Sequence, residues 1–253
     1  MRNQLEYGNW IRKKILFILG VCTLVFFALI FLPFGFLYRI FMTGGFIFAA
    51  VSFLFPLYAY IMFSQRGGKY QDKVYQLITQ SLGDGVTGQI LDIGAGNGVL
   101  AVKLAQIYPE ARVTGIDYWG KDWEYSKNAC ERNALIGKVK NRVRFQKGDA
   151  AKLEFDDDMF DAVVSNLTFH EVRSVKDKRE VVLEALRVLK PAGRFAFVDY
   201  FYDTKRYGSP DDFKKHFNLS QLEYKPIKEL IEMPFLLRHP KIFGKVGLLY
   251  GKK

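Results

Sequence analysis

Cysteine is nearly absent: Cys22 and Cys130 are the only two in 253 residues. Two cysteines this far apart give no disulfide framework and no metal-ligand spacing, so no metal site is expected. Two stretches lack charge altogether. No Asp, Glu, Lys or Arg occurs over the 23 positions from Ile15 to Leu37, or over the 18 from Phe46 to Phe63. About 20 apolar residues cross a bilayer as a helix, so the first stretch qualifies and the second is at the short limit. Between them, Tyr38 to Gly45 carries Arg39 as its one charge. The pair reads as a two-helix transmembrane hairpin, spans 15–37 and 46–63, within residues 1–66. A cleaved signal peptide would show a small-x-small site after the first run, where a second apolar run stands instead. A hairpin buried in a soluble core is the other reading of the pattern. The chain also lacks internal repeats and low-complexity tracts.

What charge there is lies at the ends. Residues 1–70 hold seven Lys/Arg against Glu6, and 203–253 hold eleven against six acids, which leaves 71–202 near neutral. Arg2, Arg12, Lys13 and Lys14 precede the first apolar run, and Arg66, Lys69 and Lys73 follow the second. By the positive-inside rule both flanks are cytoplasmic. This predicts a multi-pass protein of the cell membrane, with residues 67–253 in the cytoplasm. Basic ends around a neutral middle suit an anionic leaflet. Nucleic acid is the weaker partner, since no basic patch is interleaved with aromatics.

From residue 70 the pattern changes. Tyr70–Leu82 has helical spacing, and strand-like and helical runs then alternate. Strands are expected at 89–93, 112–116, 143–146, 160–165 and 194–199, and helices at 98–108, 122–136 and 176–189. Such alternation implies an α/β fold, a parallel sheet with helices on both faces. A short helix at 211–217 and strands at 228–232 and 243–250, an antiparallel edge pair, complete the reading.

The first strand ends in Leu91-Asp92-Ile93-Gly94-Ala95-Gly96-Asn97-Gly98. A strand, a glycine turn and a helix N-terminus let backbone approach a ligand closely. The dinucleotide pattern G-x-G-x-x-G is absent, because Val99 stands where its third glycine belongs. That disfavours NAD, and an NAD-dependent oxidoreductase with it. It favours a smaller ligand without a pyrophosphate, and Asp92 suits a cationic one.

Ligands of open α/β sheets bind beyond the carboxyl ends of the strands. The second strand ends in Asp117-Tyr118-Trp119, with Asp117 at about the distance that reaches ribose hydroxyls. The third ends in Gly148-Asp149-Ala150, where a carboxylate and an amide can meet the edge of adenine. The fourth ends in Ser165-Asn166-Leu167-Thr168-Phe169-His170-Glu171, and the fifth in Asp199-Tyr200-Phe201-Tyr202, to which no role is assigned. Each residue has a plainer alternative. Asp117 would cap the next helix, Asp149 a turn; Tyr118 and Trp119 would be core aromatics, and His170 a hydrogen-bonded structural residue.

With those motifs in place, residues 70–202 resemble a class I S-adenosylmethionine-dependent methyltransferase. The resemblance rests on Leu91–Gly98, Gly115-Ile-Asp117, Gly148-Asp-Ala150, Phe160-Asp-Ala-Val-Val-Ser-Asn166 and Leu186-Arg-Val-Leu-Lys-Pro-Ala-Gly193. It implies a Rossmann-like sheet of seven strands, the last antiparallel. It implies S-adenosylmethionine as cofactor, with Asp92, Gly94, Ala95, Gly96 and Gly98 at its methionine end. Asp117 would serve the ribose, and Asp149 and Ala150 the adenine, with Tyr118 and Trp119 placed to stack on it. Asn166 would lie near the methyl group. Most relatives lack an amino-terminal hairpin.

The expected function is a membrane-anchored methyltransferase acting on an amphipathic or lipid-like small molecule. A neutral His170, with Glu171, is the base if the acceptor is a hydroxyl or phenol. Residues 234–240, Pro-Phe-Leu-Leu-Arg-His-Pro, read as an interfacial segment. The alternatives are a soluble or protein acceptor with the hairpin as anchor only, and a non-catalytic cofactor-binding regulator. Oligomeric state and acceptor atom stay open.

Overall fold

The structure is a computed structural model that describes residues 4–120, 123–209, 213, 215, 217, 219 and 221–253. It divides into two compact units, residues 9–71 and residues 1–8 with 72–253. The expected helix at 211–217 lies largely outside the described residues.

The first unit holds α1 (Lys13–Leu29) and α2 (Phe36–Phe63). They pack antiparallel. Gly20 lies against Phe53, and a Cβ on Gly45 would come within 2.5 Å of the Phe26 ring. The boundaries differ from the expected spans. The first helix stops at Leu29 because Pro33 and Gly35 break the run; Phe36 and Leu37, expected in the first span, and 38–45, expected as the connection, form the first part of α2, Arg39 included. At about 1.5 Å per residue the 17 residues of α1 fall short of a ~30 Å hydrocarbon core, whereas the 28 of α2 exceed it. Among the described residues α2 is the one helix long and apolar enough to cross a membrane. Its large side chains are out in the open rather than in a core: Phe36, Leu37, Phe41 and Phe48 are all more than 70% exposed.

The second unit begins its main run with α3 (Tyr70–Leu82), whose first two residues belong to the first unit. Then β1 (Gly88–Ile93), α4 (Val99–Ile107), β2 (Ala111–Asp117), α5 (Lys127–Ile136), β3 (Val143–Lys147), β4 (Phe160–Asn166), α6 (Lys178–Arg187) and β5 (Leu189–Asp199) alternate as expected. A four-residue helix α7 (Thr204–Tyr207), strand β6 (Gln221–Pro226), a one-turn helix α8 (Ile227–Leu230) and strand β7 (Gly247–Lys252) follow. The seven strands form one sheet in the order β3-β2-β1-β4-β5-β7-β6, with β7 antiparallel to both neighbours. The expected strand at 228–232 is not one. Ile231 and Met233 alternate because they anchor a loop in the core, not because they join a ladder.

Period-two alternation sorts β1 between the faces. Leu91 and Ile93 join a core with Val181, Val182, Ala185 and Leu186 of α6. Asp92 falls on the other face, against the first turn of α4. The strand order reverses between β1 and β4, the place at which open parallel sheets take up ligands.

Candidate active site

The glycine turn is built by close packing. Gly94 takes φ +78°, and a Cβ there would lie 1.8 Å from Thr168 Oγ1. Gly98 takes φ +75°, and a Cβ would meet the Phe145 ring at 2.6 Å. Only glycine serves at both. The turn's own amides are spent inside the protein. Those of Gly94 and Ala95 donate to Ile116 O, at 2.8 and 2.9 Å, and that of Gly98 donates to Ala95 O. What the turn offers a ligand is therefore the carboxylates beside it.

Two acids adjoin the turn. Asp92 is buried, and its Oδ2 has no hydrogen-bond partner. Burial lifts its pKa to about 7, the nearby Asp117 charge adds to the rise, and the Ala101 amide opposes it. Asp117 accepts from Gly96 N at 2.8 Å through one oxygen and from Trp119 N at 2.7 Å through the other. Burial raises its pKa against those amides. Trp119 Nε1 closes the loop by donating to Gly96 O. Asp117 does not cap α5, whose N-cap is Ser126.

The remaining expected cofactor residues lie at the ends of β2 and β3. Tyr118 is 65% exposed, with Lys147 Nζ 4.8 Å above its ring, so it is no core aromatic. Asp149 accepts from Ala151 N at 2.9 Å, which makes it a turn former, with its side chain exposed and Ala150 buried beside it. Asn166 ends β4 with a buried Oδ1 that has no partner. Leu167, at φ +52°, turns the chain there.

His170 stands on a short 3-10 turn, Phe169–Glu171. Its Nδ1 lies 2.9 Å from Asp199 Oδ1, and its Nε2 3.3 Å from Glu171 Oε1. Tyr200 packs edge-on at 4.7 Å. Burial alone would lower the histidine pKa, but Asp199 and then Glu171 overcome it and push it up to about 9. The two neighbouring carboxylates thus favour the imidazolium, against the expectation of a neutral His170. Asp199 is fully buried and is held below the usual carboxylate range: burial opposes this, but His170 and the amides of Tyr200 and His170 outweigh it. Asp199 carried no assigned role in the sequence. The signal for it was the rule used elsewhere, an acid directly after a strand.

A further tie comes from the amino terminus. Glu6 N donates to Asn133 Oδ1, and Asn133 Nδ2 donates to Glu6 O and to Asn97 O within the glycine turn. Tyr7 Oη donates to Asp72.

The comparisons with known proteins agree with this geometry. Residues 91–197 match the family model described as a methyltransferase domain. A demethylmenaquinone methyltransferase of Listeria monocytogenes is 30% identical over 176 residues, 64% of this chain and 70% of the relative. A ubiquinone/menaquinone biosynthesis C-methyltransferase of Desulfotalea psychrophila is 32% identical over 59% of this chain and 65% of the relative. The chain spans about half the length of several curated relatives it matches, 65%, 46% and 41% in three of them. In fold, it resembles the geranyl diphosphate C-methyltransferase of Streptomyces coelicolor, with a TM-score of 0.53 at 14% identity, over 73% of this chain and 80% of that one.

Proposed function

The chain belongs to the S-adenosylmethionine-dependent methyltransferases, and on that premise we propose that it methylates an amphipathic, lipid-like acceptor while held at a membrane by its amino-terminal helices. The observation that carries the cofactor half is the buried, unpartnered Asp92 Oδ2 beside a turn that only glycine can make. A buried carboxylate without a partner is costly, and a cationic ligand relieves it. The residues present fit S-adenosylmethionine. Asp92 and Gly94, Ala95, Gly96 and Gly98 would hold its methionine end, Asp117 its ribose, and Tyr118, Asp149 and Ala150 its adenine. When bound, it supplies a methyl group already activated on a sulfonium.

The protein's part is then to align an acceptor and exclude water. Asn166, with an oxygen still unpartnered, would orient groups near the methyl. His170 would act as a cation, fixed by Asp199, that favours an acceptor atom conjugated to an ionised oxygen. In this arrangement Glu171, not His170, is the group able to take a proton. Relatives named for quinone methylation support a ring acceptor of that kind, and α2 supports one dissolved in a bilayer. With both helices in the membrane, the basic flanks favour a body on the cytoplasmic side.

The test is full-length protein in vesicles made from extracted membrane lipid, given methyl-labelled cofactor. Mass spectrometry should find the label in the lipid fraction; label confined to water-soluble metabolites or protein would refute the lipid acceptor. Deleting residues 1–66 is a poor test of anchoring, because Glu6 and Tyr7 pack on the catalytic body. Replacing residues 9–71 by a flexible linker keeps them.

A further inference from the structure

We propose that the loop between β6 and β7, residues 227–246, docks the site-bearing edge of the sheet onto an anionic bilayer, with Phe235 and Leu236 as the inserted side chains. This rests on the membrane-held reading above and adds a second membrane contact, made by the catalytic body itself.

Topology places the loop. Pro226 pairs with Gly247 across β6 and β7, and Gly247 pairs with Asp199 across β7 and β5. The loop therefore leaves and rejoins the sheet at the edge where β5 delivers Asp199. It touches the chain that follows: Tyr200 Oη donates to Lys241 O at 3.1 Å, and Tyr202 N to Lys245 O at 3.0 Å.

The loop is also built to hold its shape. Ile231, Met233, Leu237, Ile242 and Phe243 are buried and root it in the core. Leu237 N donates to Pro234 O, Phe243 N to Leu237 O and Gly244 N to His239 O, each at 3.0 Å. Arg238 Nε donates to Met233 O at 3.2 Å. A Cβ on Gly244 would fall 2.2 Å from Arg238 O, so the chain doubles back as tightly as backbone allows.

This scaffold turns apolar side chains outward. Phe235 is 85% exposed, Leu236 46% and Leu230 36%. Lys228, Arg238 and Lys241 are exposed on the same loop, with Glu229 and Glu232 as its acids. An aromatic and an aliphatic side chain ringed by cations match a surface of hydrocarbon beneath anionic headgroups. The occupant is a bilayer rather than a protein because residues 203–253 carry a net +5 and the same chain holds a helix long enough to cross one.

The test uses the full chain with Phe235→Trp, in vesicles of phosphatidylcholine alone or mixed with phosphatidylglycerol, with brominated acyl chains as quencher. Ile107→Trp is the control; Ile107 is exposed at the carboxyl end of α4, at the opposite edge of the sheet. Subtracting the parent spectrum removes Trp10, Trp119 and Trp123. The expected result is a blue-shifted emission from position 235, quenched several-fold more than from 107, in the anionic vesicles. Arg238→Glu with Lys241→Glu should abolish that difference. Equal quenching at 235 and 107, or equal quenching of position 235 in both lipid mixtures, would overturn the proposal. The same vesicles, supplemented with extracted membrane lipid and given methyl-labelled cofactor, separate the two readings. Labelled lipid with an unquenched Trp at 235 defeats docking alone, and a quenched Trp with no labelled lipid upholds docking and defeats the lipid acceptor.

Discussion

Two buried aspartates end two strands of one sheet and behave in opposite ways. Asp92, next to last in β1, has an oxygen with no partner, and its pKa is pushed up to about 7. Asp199, the last residue of β5, has His170 and two amides, and its pKa is held down. Burial penalises both charges alike, so partners decide the difference. On the function proposed above, the cofactor side would keep its electrostatic demand open for a cation that arrives from solution. The acceptor side would have met its demand from within, through the His170–Asp199 pair. A transferase that must bind, turn over and release a charged cofactor is served by the first arrangement, and one that must hold an acceptor in a single pose by the second.

Breaking the satisfied side should have the largest effect on folding. His170→Ala leaves Asp199 a buried charge without its counterion, and urea unfolding should show a loss of about 3–5 kcal/mol. His170→Ala with Asp199→Ala should recover part of that loss, because the pair no longer leaves an orphan. If the double variant is less stable than either single one, the pairing does not carry the cost.

Next comes the ribose carboxylate. Asp117→Ala removes a ligand contact and the acceptor for two loop amides, so S-adenosylmethionine affinity should fall about a hundredfold, near 3 kcal/mol. Circular dichroism should show the fold retained. Unchanged affinity would refute the ribose role.

A smaller effect separates the two aspartates by pH. Asp92 has a folded pKa of about 7 against an ordinary 3.8, so the folded state binds its proton more tightly than the unfolded one. Its contribution to stability therefore falls as pH rises from 4 to 7. The pair is stabilised by its charged forms, and its two members lose that stabilisation at opposite ends of the pH scale. The stabilisation from raised His170 is complete below the ordinary histidine value of 6.5 and is lost as pH climbs through about 9. That from depressed Asp199 is present above 3.8 and is lost as pH falls through its folded value. Without cofactor, Asp92→Asn should stabilise the protein at pH 8, where the buried charge costs the wild type most, and leave it nearly unchanged at pH 4. Thermal melts at the two pH values check this.

The same contrast explains what the sequence could tell. The cofactor side is written locally: Asp92 and three glycines lie within seven positions, and each later acid follows its own strand directly. The alternation of strands and helices needs only short-range periodicity, and the seven-stranded sheet with its antiparallel β7 is as expected. The acceptor side depends on pairings across sequence. His170 and Asp199 are 29 residues apart and meet only because β4 and β5 are neighbours, so the protonation state of His170 could not be read in advance. Asn133 reaches Glu6 across 127 positions with no motif to announce it. Composition located the apolar runs, but Pro33 and Gly35 set where the helices break, which lengthened the second at the expense of the first. Ile231 and Met233 mimic a strand because a rooted loop and a ladder bury alternate residues in the same way.

The most direct test of an open demand on one side of the site is calorimetric titration with S-adenosylmethionine from pH 6 to 8, in buffers of different ionisation enthalpy. Wild-type protein should bind more tightly as pH rises through about 7 and should release a proton on binding, while Asp92→Asn binds more weakly with neither effect. Affinity that is independent of pH in the wild type, or equal in the two proteins, would contradict the account.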